Sequence, residues 1–295
     1  MEFTLIISEP QAGAEEFLAL IKKVLGPSKL ATPESFDGSF DDCCAAVLLF
    51  TPESGRIRPE TVRFINEHDK QLGARNSALL CISQNRDESL HALEEAAFRW
   101  SRSICYLDCI ELPPAPLETE GFEIPGQIAE KLIFLKRKLK DTADMPEKEL
   151  MERIDSVLLA HNTCTLCTGA GSHVRATPIE YTYYQGCFYF LSEGGEKFAN
   201  LAGNPLVSIA IYNAYNGFSS LESIQAEGKA TNIEAFSTEY MDIVNLKGLS
   251  VPSLEALPAQ LNLVKVRPER FEILKSDFTK KGCSAKQVIS LPPNR

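Results

Sequence analysis

HNTCTLCTGAGSHVRATPIEYTYYQGCFYFLSEGGEKFANLAGNPLVSIAIYNAYNGFSSLESIQAEGKA, residues 161–230, decides the architecture of the second half of this chain. Four runs within it, 163–168, 175–184, 187–191 and 206–212, are rich in β-branched and aromatic residues, and Gly, Asn or Pro separates them. Such side chains suit a pleated, half-buried surface and such separators suit tight turns, so a meander of short antiparallel strands is expected. Before it, 146–160 reads as a helix: Pro146 fits a first turn, and Leu150, Ile154, Val157 and Leu158 recur at helical spacing. After it, 234–246 reads as a helix and 263–274 as a last strand pair around Arg267-Pro268. The polar stretch 278–283 leads into a tail, 281–295, that could drape over a neighbour.

Residues 1–140 alternate strand-like and helix-like segments. Strands are expected over 3–7, 45–50, 77–82 and 103–107, and helices over 14–24, 58–72 and 89–100, with Pro59 in the first turn of the second helix. Strands spaced by helices need crossover connections and give a mostly parallel sheet. This order resembles a flavodoxin-like α/β domain. The resemblance implies a phosphate loop after the first strand, but the loop here is Ser8-Glu9-Pro10-Gln11-Ala12-Gly13-Ala14. It offers one hydroxyl, loses an N–H at Pro10 and puts Glu9 where a dianion would sit, so no FMN is expected in this half. Packing, dimer contacts or partner docking are the expected roles. Pro113-Pro114-Ala115-Pro116, followed by acidic residues 118–121, reads as a semi-extended linker. A helix over 124–139 then either closes the sheet or bridges the domains.

At 295 residues, 44% hydrophobic and 24% charged, the chain has the size and composition of a two-domain globular protein. No run approaches the roughly 20 apolar residues that cross a bilayer, and a cytoplasmic protein without membrane partners is expected. The net charge of −10 argues against nucleic acid as a partner, because phosphate binding needs a clustered basic surface. Lys136-Arg137-Lys138 with Lys140 is the exception, and it suits the C-terminal end of a helix. Nine cysteines form no framework-like spacing, which fits a reducing compartment. Cys164 and Cys167 have C-x-x-C spacing, but residues three apart on a strand face opposite ways, so neither a redox pair nor a metal site is expected.

Four pieces of the second half carry a further resemblance: Arg175-Ala176-Thr177-Pro178; Phe188-Tyr189-Phe190-Leu191-Ser192 followed by Gly194-Gly195-Glu196-Lys197; Asn200-Leu201 then Asn204-Pro205; and Gln225-Ala226-Glu227-Gly228-Lys229-Ala230. In order and spacing they resemble the pyridoxamine 5'-phosphate oxidase-like family of FMN-binding split β-barrels, over roughly 145–275. The expected architecture is therefore a flavodoxin-like parallel-sheet domain over 1–140 and an FMN-binding split barrel over 145–280. Arg175 and Lys197 are the only cations between His161 and Glu227. By the resemblance they hold the FMN phosphate, the guanidinium as a fork and the ammonium as a point charge. Taken alone, without the resemblance, they read first as two ordinary surface charges.

The resemblance also implies Leu191 and Ser192 beside the phosphate, Gly194-Gly195 allowing close backbone approach, and Ala176, Thr177 and Pro178 along the flavin ring. Gln225 would act from a partner subunit. It further implies a homodimer with the flavin between barrels, and two-electron chemistry on a small-molecule substrate with a donor such as NAD(P)H. No catalytic acid or base is identified. The oxidase's longer arginine motif and its C-terminal arginine-and-histidine signature have no counterpart, so pyridoxamine phosphate oxidation itself is not expected. A non-catalytic electron-transfer module and a haem-binding or haem-degrading protein, using His161 or His173, remain open.

Overall fold

The computed structural model describes residues 2–9, 15–83, 85–112 and 124–292, and the chain divides into two compact units between Asp141 and Thr142. The first contains β1 (Phe3–Ser8), α1 (Glu15–Leu25), β2 (Ser28–Ala31), β3 (Cys43–Phe50), α2 (Pro59–Glu67), α3 (Asp69–Gly73), β4 (Asn76–Ser83), α4 (Arg86–Trp100), β5 (Tyr106–Glu111) and α5 (Gly126–Lys140). All pairings are parallel, in the order β2-β1-β3-β4-β5, the doubly wound order of flavodoxin-like sheets. Helices cover both faces. Ala46, Leu48 and Phe50 of β3 pack toward α2 and α4, whereas Ala45, Val47 and Leu49 pack toward α1 and α5. Burial on two faces is why β3 and β4 are continuous apolar runs. β2, an exposed edge strand with the sequence SKLA, carries no such run.

Two expectations for this unit are corrected, and a third point left open is decided. The helix over 58–72 breaks at His68 (φ −112°, ψ 19°), whose ring sits against Phe36, Phe40 and Phe64. The last strand starts at Tyr106 instead of 103, because Ser103 and Ile104 donate back to the Trp100 carbonyl at 3.0 and 2.9 Å and close α4 with a turn. α5 lays Ile128, Leu132, Leu135 and Leu139 on the sheet, which settles its role as a cover of this unit. The proline-rich linker and its acidic extension lie outside the described residues.

The second unit contains α6 (Glu147–Ala160), β6 (Thr163–Ala170), β7 (His173–Glu180), β8 (Thr182–Tyr184), β9 (Cys187–Ser192), α7 (Glu196–Gly203), β10 (Leu206–Tyr212), β11 (Glu222–Ile233), α8 (Thr238–Leu246), α9 (Val251–Glu255), β12 (Asn262–Lys275) and β13 (Lys286–Ser290). Its eight strands form one antiparallel sheet ordered β7-β6-β10-β11-β12-β9-β8, with β13 also on β12. The sheet curls until β7 nears β9, giving a split barrel. Leu166, Ile209, Ile224, Phe188, Val264 and Phe271 fill the inside, and Leu150, Ile154, Val157 and Leu158 of α6 close it. On the outside, α8 packs Tyr240, Ile243 and Val244 against Tyr189 and Leu263.

Here too the structure departs from the sequence reading. The strand over 175–184 is interrupted at Tyr181, whose ring turns inward and whose hydroxyl donates to the Leu158 carbonyl at 2.7 Å. The segment 263–274 is one strand, not a pair, and Arg267-Pro268 marks a bulge: Gly228 lies opposite Pro268 and Glu227 opposite Arg270. Proline lacks the ladder N–H and is tolerated at such a point. A Cβ on Gly228 would overlap the Arg267 carbonyl, so the bulge requires glycine there. α8 starts at Thr238, capped by the Ser237 hydroxyl accepting from the Tyr240 N–H at 3.3 Å. Part of the stretch read as a tail is β13, and Phe278 is buried in the barrel core. Gln287, fully buried, accepts from the backbone N–H of Asp144 and Met145 at 2.9 and 3.3 Å.

Candidate functional site

α7 was not expected, and it builds the site. Gly194 (φ 149°) and Gly195 (φ 107°) turn the chain out of β9, and Glu196 opens the helix with no side-chain cap on its first N–H groups. The helix packs on β6 and β7. This brings Lys197 to Arg175 although β7 and β9 do not pair: β7 pairs with β6, while β9 pairs with β8 and β12. Arg175 Nη1 lies 2.5 Å from Glu196 Oε2, and His173 Nε2 lies 3.7 Å from the same oxygen. Lys197 is buried (8% exposed), and its ammonium donates to the Gly194 carbonyl. Desolvation lowers its pKa; Glu193 opposes that shift and Arg175 adds to it. Ser192 is buried beside it, its hydroxyl 3.3 Å from both the N–H and the carbonyl oxygen of Gly194.

Behind these groups runs a chain of hydrogen bonds that the sequence reading missed. Asn200, buried on α7, donates to the Thr168 hydroxyl at 3.0 Å and meets His173 Nδ1 at 3.0 Å through its Oδ1. With Oδ1 accepting, His173 Nδ1 carries the proton and Nε2 faces Glu196. A signal for α7 exists in the apolar positions Phe198, Leu201 and Ala202 between two glycines. Asn200 and Glu196 lie within the motif pieces quoted above, but nothing local assigns them a role, which arises only once α7 lies across the sheet.

The other expected residues fall on two faces. Residues opposite one another on neighbouring strands project from the same side. Thr177 therefore shares the inner side with Leu166, Ile209, Ala226 and Phe271. Its buried hydroxyl has no partner among the described residues. Arg175, two residues earlier, is on that same side at the barrel's end. Ala176 and Pro178 project outward, and the Pro178 row continues through Thr165 and Ala210 to Gln225. Three strand spacings, about 14 Å, separate Pro178 from Gln225. Gln225 is thus remote from Arg175 within one chain. Leu191 packs with the α8 cluster on the outer face, so its side chain does not join the cations. His161 is the C-cap of α6, its Nδ1 2.9 Å from the Val157 carbonyl oxygen, which gives it a capping role.

Two buried cationic and hydroxyl side chains, a glycine pair and an uncapped helix start suit one end of a phosphate monoester. The cavity between α7 and strands β11 and β12, lined by Phe198, Leu201, Ala230 and Val264, is about 270 Å³. That is below the range of about 300–1,000 Å³ usual for cofactor sites.

In the first unit, Glu9 follows β1 at the carboxyl ends of the strands, where doubly wound sheets receive ligands. It is buried, accepts from the Thr61 hydroxyl and from the Thr51 N–H at 3.3 Å, and lies 3.8 Å from Arg58 Nε. Burial raises its pKa, with Thr61, Thr51 and Arg58 opposing. Residues 10–14 of the loop lie outside the described residues.

No protein-family model matches this sequence, and no curated protein matches it at a significant level. Solved structures do resemble it. HutZ, the haem storage protein of Vibrio cholerae, is 19% identical over 41% of this chain and 90% of its own, with a TM-score of 0.35. An FAD-binding protein of Mesorhizobium loti is 16% identical over 41% and 89%, TM-score 0.35. A protein of Listeria innocua assigned to pyridoxamine 5'-phosphate oxidase is 21% identical over 42% and 98%, TM-score 0.34.

Proposed function

We propose that the second unit binds FMN through its phosphate and that the protein is an FMN-dependent oxidoreductase of the pyridoxamine 5'-phosphate oxidase-like type. The observation that carries this reading is the convergence of Arg175, Lys197, Ser192 and the uncapped start of α7 at one end of the barrel. In it, Arg175 and Lys197 neutralise the phosphate, the Gly194-Gly195 turn lets backbone N–H groups approach it, and Thr177 offers its unpaired hydroxyl. Bound flavin supplies hydride chemistry, while the chain supplies position and field. Gln225 is three strand spacings, about 14 Å, from Pro178 within one chain, so in this reading a second copy of the chain completes the site and contributes Gln225 across the interface. The substrate is a small molecule and the electron donor a reduced nicotinamide, in the cytoplasm.

The test is titration of the full chain with FMN, followed by flavin fluorescence and by gel filtration. Arg175→Ala and Lys197→Ala are each expected to weaken binding by about 1.5–3 kcal/mol, the range for hydrogen bonds to charged groups. Unchanged affinity in both variants refutes the assignment. A second reading, haem binding, is favoured by one observation: His173 is half exposed, with Nε2 3.7 Å from the exposed Glu196 carboxylate and its other nitrogen anchored by Asn200. A Soret band on haem titration, lost in His173→Ala, would select it.

A further inference from the structure

We propose that Glu196 is an internal competitor for the anion, making the site selective for a dianionic phosphate monoester over neutral or singly charged ligands. The inference rests on the flavin reading above. Glu196 is the first residue of α7, where the helix dipole favours a carboxylate, and its Oε2 lies 2.5 Å from Arg175 Nη1. It therefore occupies the guanidinium that the phosphate needs. It also faces His173 Nε2 at 3.7 Å, and that ring is fixed from behind through Asn200 and Thr168. The imidazole is thus held in place, while the Glu196 side chain is 62% exposed and can swing into water without unfolding anything.

Lys197 makes a different contribution. It is buried, and its ammonium bonds to a neutral carbonyl, that of Gly194. An arriving anion gains from Lys197 in full but gains from Arg175 only what exceeds the lost Glu196 contact. A singly charged group exchanges one minus charge for another at Arg175. A dianion brings a second charge for Lys197 and for the uncapped N–H groups, so it wins the exchange.

The test compares the full chain with Glu196→Gln, an isosteric change at an exposed position, in fluorescence titrations with FMN and with riboflavin, which lacks the phosphate. Glu196→Gln is expected to bind FMN about fivefold to tenfold more tightly, the scale of an exposed ion pair plus nearby like-charge repulsion. Riboflavin affinity is expected to stay unchanged. Equal or weaker FMN binding by the variant overturns the competitor role and leaves the flavin reading standing. A gain of the same size for riboflavin also overturns it, because the effect would not involve the phosphate. Failure of both proteins to bind FMN overturns the flavin reading, and this inference with it.

Discussion

Asn200 joins the site to the barrel core, and its value lies in being satisfied at both ends. Its amide donates to Thr168 and accepts from His173, all at the buried face of α7. Asn200→Ala would strand the Thr168 hydroxyl and free the imidazole. A loss of about 1–3 kcal/mol in urea unfolding of the barrel is expected, and a change below about 0.5 kcal/mol would show that the pair carries no structural weight. Arg175 and Lys197 were legible as candidates because a span of mostly neutral residues contains no other cation. Glu196 and Asn200 were not, since a carboxylate at a helix start and an amide within it acquire meaning only from what the helix covers. Leu191 shows what the motif alone does not carry: strand alternation turns its side chain to the α8 side.

Among the elements, β12 shows how one backbone constraint shapes a sheet. Gly228 faces the Arg267 carbonyl too closely for any Cβ, so Gly228→Ala must open the bulge or shift the register. Destabilisation of about 3 kcal/mol or more is expected by urea denaturation; a near-neutral result would mean that the bulge relaxes freely. Strands buried on two faces, β3 and β4, were readable as apolar runs, while β2 at the edge was not. The long β12 was split in two by the usual meaning of proline, which a bulge suspends. At the end of β1, Glu9 gives a pH test. Burial raises its folded pKa above 4.5, so the folded state holds the proton more tightly. Its contribution is complete below pH 4.5 and declines as pH rises through the folded pKa. Glu9→Gln should flatten that part of the Tm-against-pH curve of the first unit, and an unaltered slope would refute the burial argument.

At the scale of the whole molecule, each unit has a core of its own: two clusters on the faces of the parallel sheet, and two inside and outside the barrel. Residues 142–295 alone are therefore expected to melt cooperatively by circular dichroism, and a non-cooperative melt would show that the barrel depends on the rest of the chain. The first unit completes its sheet cover with α5, by Lys140. The barrel has no such early finish, because β12 lies between β11 and β9 and also carries β13. On the ribosome, then, β9 and β11 emerge well before the strand that joins them, and each waits with an unmated hydrogen-bonding edge. A chain cut short after β11 would not be a smaller barrel but two open edges, a substrate for chaperones and aggregation.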